Sequence, residues 1–281
     1  MKLEELAHIA NEVRQDIIRS LLQAGSGHSA GPLGMADVFT ALFFEVAKLD
    51  PQNPQWPERD YIVLSNGHIC PLLYAVMAHR GFFPREELLT LRKFGSRLQG
   101  HPHREALPGL ENSSGPLGSG LSQAAGMAYG LRMDQKKNRV WCLGSDGELQ
   151  EGNVWEAAMF AGKYRLNHLC YIIDRNNIQI DGLTENVMPL EPLRAKLEAF
   201  NWHVLEMNGH NFGDILNTLS EAKAILEKPT CVIAHTIPGE NVGFMEERFE
   251  WHGKSPNAEE AALALKELRS LGGKIECSDH C

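Results

Sequence analysis

Long apolar runs are missing from this 281-residue sequence. No stretch reaches the roughly eighteen apolar residues that a membrane-spanning helix needs, so nothing reads as a membrane span. Cysteine is sparse: Cys70, Cys142, Cys170, Cys231, Cys277 and Cys281 are the six in the chain. That density is too low for a disulfide scaffold, so the thiols read as reduced and the protein as cytoplasmic. Positive charge is short as well, with 27 Lys+Arg against 36 Asp+Glu and a net charge of −9. An acidic chain without a basic stripe is a poor binder of a phosphate backbone, which argues against nucleic acid as a partner. The start, Met1-Lys2-Leu3-Glu4-Glu5, lacks signal-peptide and transit-peptide character. Low-complexity tracts, solenoid repeats and Ser/Pro linkers are absent too, so residues 1–281 read as a single domain.

What is present alternates between two periods. Leu3, Leu6, Ala10, Val13, Ile17 and Leu21 fall at helical spacing over 3–24. A Gly-rich break over 25–34 follows, then a second predicted helix from about Met35 to Lys48. Short apolar runs at Tyr61–Leu64, Val140–Leu143, Leu169–Ile173, Trp202–Leu205 and Cys231–Ala234 predict buried strands. Amphipathic stretches at Cys70–Arg80, Leu121–Lys136, Val154–Tyr164, Leu190–Phe200 and Ile215–Leu226 lie between them. The order predicts an α/β fold, a mostly parallel sheet with helices on both faces. Such sheets bind ligands outside the carboxyl ends of their strands.

The residues just after the strands carry the chemistry. They are Ser65-Asn66-Gly67-His68, then Ser145-Asp146-Gly147-Glu148, then Asp174-Arg175-Asn176-Asn177-Ile178, then His235-Thr236 and a long loop reaching His252. Asp146 and Asn176 stand thirty positions apart (176 − 146 = 30), one strand–helix–strand unit. A carboxylate, an amide oxygen and a backbone carbonyl are hard ligands that suit Mg²⁺ or Ca²⁺ and leave positions for a ligand's phosphates. Gly147 allows close approach of such a phosphate, and a helix starting near Gly152 adds its positive end.

Asp146-Gly147, followed after 28 residues by Asn176-Asn177, resembles the thiamine diphosphate motif. Ser26-Gly27-His28, Ser65-Asn66-Gly67-His68, Gly100-His101-Pro102, Gly115-Pro116-Leu117-Gly118, Ile180-Asp181-Gly182, Asn208-Gly209-His210 and His252-Gly253 are similar, in order, to successive motifs of transketolases. The resemblance covers nearly the whole chain but only the diphosphate-binding part of a usual transketolase. It implies the thiamine diphosphate-binding fold and the N-terminal subunit of a split enzyme. The aminopyrimidine-binding and C-terminal domains are then expected on a partner chain in an α₂β₂ assembly, with sugar phosphates as substrates.

Position by position, the resemblance implies that Asp146, Asn176 and the Ile178 carbonyl hold the metal. It implies that Gly147, His68 and His252 meet the diphosphate, Gly115 and Leu117 the aminopyrimidine, and Ile180 the thiazolium. Glu151 corresponds to an acidic position at the subunit interface near the cofactor. His28, His68, His101 and His252 are implied to line the reaction centre and to move protons on sugar oxygens as cationic donors. Histidine suits that task because its unperturbed pKa lies near neutrality. Two departures stand out: Ser145 replaces the first glycine of the motif, and His28-Ser29-Ala30-Gly31 replaces the commoner His-Pro-Gly-Gly.

Rival readings use other residues. Gly27-His28-Ser29-Ala30-Gly31 fits G-x-S-x-G, the nucleophile elbow of α/β-hydrolases, with Ser29 as nucleophile; but that motif needs a preceding strand. Gly118-Ser119-Gly120 starts a dinucleotide fingerprint that Gln123 breaks. His101-Pro102-His103 lacks a third zinc ligand nearby. Cys277, His280 and Cys281 read as a frayed tail, and Cys142, Cys170 and Cys231 as core thiols. His8, His79 and His168 read as surface or satisfied core residues. The glutamate-rich 240–251 stretch reads as a mobile loop over the cofactor. The remaining alternatives are a modified-sugar enzyme, a deoxyxylulose-phosphate-synthase-like donor and a non-catalytic binding subunit.

Overall fold

The sheet in the computed structural model has five strands, all parallel: β1 (Tyr61–Leu64), β2 (Val140–Ser145), β3 (Leu169–Arg175), β6 (His203–Asn208) and β7 (Thr230–His235). Their spatial order is β1-β2-β3-β7-β6, and a two-residue hairpin, β4 (Ile178–Gln179) with β5 (Gly182–Leu183), follows β3. The structure describes residues 1–278, so the terminal group of Cys277, His280 and Cys281 lies outside the described residues apart from the backbone of Cys277. The chain builds the sheet outward from β1 to β3, jumps to the far edge at β6, and returns to place β7 beside β3. That reversal opens a crevice at the carboxyl ends of the central strands.

Ten helices flank the sheet among the described residues: α1 (Leu3–Ala24), α2 (Ala30–Gly34), α3 (Ala36–Ala41), α4 (Cys70–Arg80), α5 (Ser119–Met133), α6 (Gly152–Lys163), α7 (Thr184–Val187), α8 (Leu193–Ala199), α9 (Phe212–Ala224) and α10 (Ala258–Ser278). Strand side chains alternate between two cores, as period-two geometry demands. In β2, Trp141 and Leu143 join the core under α1, α4 and α9, while Val140 and Cys142 join the core under α5, α6 and α8. Both faces are apolar, which is why the strands read as continuous hydrophobic runs. Cys142, Cys170 and Cys231 are buried free thiols, as expected, and burial pushes Cys170 up to about 12.

Two expectations change in detail. The predicted Met35–Lys48 helix is present over 36–46, but α3 passes into a wider π turn over Leu42–Val46, and a short helix, α2, precedes it across a turn at Met35. The α2 end crosses another segment closely, because a Cβ on Gly34 would sit 2.7 Å from the Ile237 carbonyl oxygen. The 240–251 stretch is not a free flap. Buried Val242, Met245 and Trp251 pin it, and Glu247 N–H donates to the Pro238 carbonyl at 3.0 Å.

Candidate active site

A cavity of about 340 Å³ opens at the carboxyl ends of β1, β2 and β3. It gathers His28, His68, His101, His252, Gly115, Leu117, Gly147, Glu151, Ile178 and Ile180 from segments more than two hundred residues apart. Asp146 and Asn176 are buried and adjoin it through the lining residues Gly147 and Ile178, whose N–H groups they accept from.

Three imidazoles form a tight cluster. Ring centroids are 4.8 Å apart for His28 and His68, 5.1 Å for His68 and His252, and 5.6 Å for His28 and His252. Burial, then the neighbouring His252, Arg92 and His101, lowers His28 to about 4. Burial and the other imidazoles hold His68 well below its ordinary value, and burial lowers His252 and His101 too. Burial works against the expected cationic donors, because it disfavours the protonated form of all four rings. A neutral ring carries one N–H donor and one acceptor, so it can both take and give a proton.

The opposite end is built of oxygen. Asp146 Oδ1 accepts from Gly147 N–H at 2.7 Å, while Oδ2 accepts from Asn177 N–H at 2.7 Å, Arg175 Nη1 at 3.0 Å and Thr184 Oγ1 at 3.3 Å. Burial raises the Asp146 carboxyl against the pull of Arg175 and these donors. Asn176 Nδ2 donates to Asp174 Oδ2 at 2.7 Å, which fixes the amide so that its oxygen remains the acceptor end. Oδ1 of Asp146 and Oδ1 of Asn176 each accept a single backbone N–H, leaving lone-pair capacity on both. Two hard oxygens plus a backbone carbonyl fit Mg²⁺ or Ca²⁺ completed by phosphate and water.

Three residues that the sequence placed directly after the strands, but to which it gave no role, build this end. Asp174 orients Asn176, accepts from Thr236 Oγ1, and is pushed by burial to about 7. Arg175 ties Asp146 to Glu185 and Glu191. Glu148, fully buried and raised by desolvation to about 7, accepts from Ser65 Oγ and from Gly118 N–H, both at 2.6 Å. It thereby holds the 115–118 loop against β1. Their position directly after β2 and β3 was the available signal. Gly118 has φ +80°, and a Cβ there would lie 2.0 Å from Asn153 Oδ1, so the loop needs glycine at that point. The replaced motif glycine causes no strain, because Ser145 completes β2 opposite Asp174.

The rivals lose their geometry. Ser29 is buried, its hydroxyl donates to the Lys254 carbonyl at 2.6 Å, and helix α1 rather than a strand precedes it. A nucleophile elbow is excluded by that placement. No group of three His, Cys, Asp or Glu residues able to hold a metal occurs among the described residues, so His101 and His103 gain no zinc partner. His79 is a satisfied core residue, 3.0 Å from Asp16. No helix among the described residues is long and apolar enough to cross a membrane.

Known proteins share this arrangement. The family described as transketolase, thiamine diphosphate binding domain, matches residues 6–272. The chain is 41% identical over 268 residues to the 6-deoxy-6-sulfo-D-fructose transketolase subunit SqwG of Clostridium sp. (strain MSTE9), covering 95% of this chain and 98% of that one. It is 40% identical over 276 residues to an apulose-4-phosphate transketolase subunit of Phocaeicola vulgatus, covering 98% of both. Against human transketolase, identity is 38% over 271 residues, but the match spans 43% of that protein. The crystal structure of Campylobacter jejuni transketolase superposes with a TM-score of 0.86 at 30% identity, covering 98% of this chain and 48% of that one. The chain belongs to the transketolase family, as a thiamine diphosphate-binding subunit of the N-terminal kind.

Proposed function

We propose that this subunit carries the diphosphate half of a split transketolase. The enzyme would move a two-carbon ketol unit reversibly from a ketose phosphate to an aldose phosphate. The observation that carries the reading is the convergence of four imidazoles on one cavity whose lining residues Gly147 and Ile178 donate to the buried oxygens of Asp146 and Asn176. Asp146, Asn176 and the Ile178 carbonyl would hold Mg²⁺ or Ca²⁺, and Gly147, His68 and His252 would meet the diphosphate. Bound thiamine diphosphate would supply a nucleophilic carbon and an electron sink. Around it, His28 and His101 hold donor hydroxyls, and a neutral imidazole takes a hydroxyl proton and returns it as the acceptor arrives.

The aminopyrimidine side is proposed to come from a separate C-terminal subunit in an α₂β₂ assembly, with residues 1–281 forming one domain. Whole-length agreement with two proteins named as subunits supports this. So do Leu117 and Ile180, apolar side chains at the cavity that are 39% and 63% exposed. Glu151, exposed at the start of α6, would face that partner. The unpaired core thiols suit a cytoplasmic location. A modified, anionic sugar is the second reading, favoured because the two subunit relatives are named for a sulfonated hexose and a branched pentose phosphate.

The test is transfer between xylulose 5-phosphate and ribose 5-phosphate, with thiamine diphosphate and Mg²⁺, by this chain with and without its C-terminal partner. Activity of the pair alone supports the reading. Activity of the single chain would overturn the divided cofactor site. A silent pair that still binds thiamine diphosphate would move the substrate to a modified sugar.

A further inference from the structure

Arg92 stands at the edge of the imidazole cluster with no acidic partner among the described residues. Its backbone is left-handed, with φ +60°, a conformation that a residue bearing a side chain adopts at a cost. Glycine would occupy that turn more easily, so the side chain is the reason for the residue. The guanidinium lies between two loops. A Cβ on Gly100 would be 2.8 Å from its Nε, and one on Gly27 would be 3.8 Å from the same atom. Arg92 Nη1 donates to Ser26 Oγ at 3.3 Å and Nη2 to the Gly100 carbonyl at 3.4 Å. Nε is buried without a hydrogen-bond partner. Ser26-Gly27 leads directly into His28, and Gly100 into His101.

We propose that Arg92 is a positioning residue that clamps the His28 loop to the His101 loop and biases both imidazoles toward their neutral forms. The inference deepens the transketolase reading and rests on it for its kinetic part. Two properties of the side chain act separately. The planar fork spans two loops at once, which a lysine cannot do. The fixed positive charge disfavours a second positive charge on a nearby ring.

The titratable groups facing this guanidinium are His28 and His101 on its two loops and Cys70 and Tyr74 on α4. His68 and His252 stand beyond His28. None is a carboxylate, and no salt bridge to Arg92 occurs among the described residues. Its field therefore reaches the imidazoles without a local counter-ion. In agreement, Arg92 is among the causes that lower both His28 and His101.

Two variants separate charge from fork. In the full-length chain, Arg92→Gln should raise the NMR titration midpoints of His28 and His101 by about half a unit to one unit. With the partner, thiamine diphosphate and Mg²⁺, the acid limb of its kcat/KM profile should move to higher pH by the same amount. Arg92→Lys should leave the midpoints near those of the parent but lower kcat by about tenfold, because one loop is released. Unmoved midpoints in Arg92→Gln would overturn the charge role. A parental kcat in Arg92→Lys would overturn the clamp. If Arg92→Gln does not fold, Arg92→Lys still decides through its kcat and its melting profile. An inactive parent pair would instead count against the transketolase reading, and the NMR midpoints would stand apart from it.

Discussion

The cavity has two ends that meet burial in opposite ways. At the imidazole end, desolvation removes positive charge: His28, His68, His101 and His252 are all lowered. At the oxygen end, desolvation works against negative charge, and Asp174 and Glu148 are both raised to about 7. Asp146 is raised by burial as well, with Arg175 and two backbone N–H groups pulling against it. Without its ligands the site is poor in free charge at both ends. The proposed divalent ion and the anionic cofactor would bring opposite charges to it together, and the walls supply mainly dipoles and lone pairs. Preorganised dipoles in a dry site need little rearrangement as charge develops.

The strongest way to break this comparison is to remove the compensated carboxylate. Asp146→Ala leaves Arg175 buried with only the more exposed Glu185 and Glu191 as partners, and would deprive the proposed metal of its charged ligand. Deleting one partner of a buried ion pair costs about 3–5 kcal/mol. Urea unfolding of the chain should register that loss, and calorimetry should find no thiamine diphosphate binding with Mg²⁺. Retained binding would mean that the metal sits elsewhere.

At the imidazole end, His28→Ala or His101→Ala should lose on the order of 2.7–4 kcal/mol of transition-state stabilisation, as when one preorganised donor is deleted. Stopped-time assays on the assembled pair would show it as a fall of about two to three decades in kcat. Near-normal turnover in either variant would remove that residue from the reacting centre. A smaller effect is expected one step behind the metal. Asp174→Ala frees the Asn176 amide to rotate and should weaken Mg²⁺ affinity about 10- to 100-fold. Unchanged affinity would show that Asn176 needs no orienting partner.

How much of this was legible in the sequence follows from the physics of each part. The strands were readable because both faces of the sheet are buried, so they appear as unbroken apolar runs. The site residues were readable because they lie directly after those runs, where a parallel sheet presents its ligands. The short helix α2 ending at Gly34 was not, since it packs on the distant Ile237 backbone. Nor was the burial that lowers the histidines, because sequence shows residue type and not solvent access. Arg92 escaped, and Glu148 was named without a role, for the same reason: their work is to join loops that are remote in sequence, Ser26 to Gly100 and Ser65 to Gly118.

The gentlest test separates the two ends by proton linkage. His28 has a native midpoint of about 4, below its ordinary value of 6.5. Between those limits the unfolded chain binds a proton that the native chain refuses, so this group's contribution is full above pH 6.5 and is lost as pH falls. The raised carboxyls act with the opposite sign in that window: they bind protons in the native state that the unfolded chain has released. The wild-type curve alone therefore mixes the two ends. Subtracting the curve of His28→Gln isolates the imidazole. The variant should gain on the parent as pH drops from about 7 to about 5, by about 2 kcal/mol at most at ~1.4 kcal/mol per unit. Urea midpoints at the two pH values measure it without partner or cofactor. Parallel curves would show that burial does not hold His28 neutral, and the contrast between the two ends would fall with it.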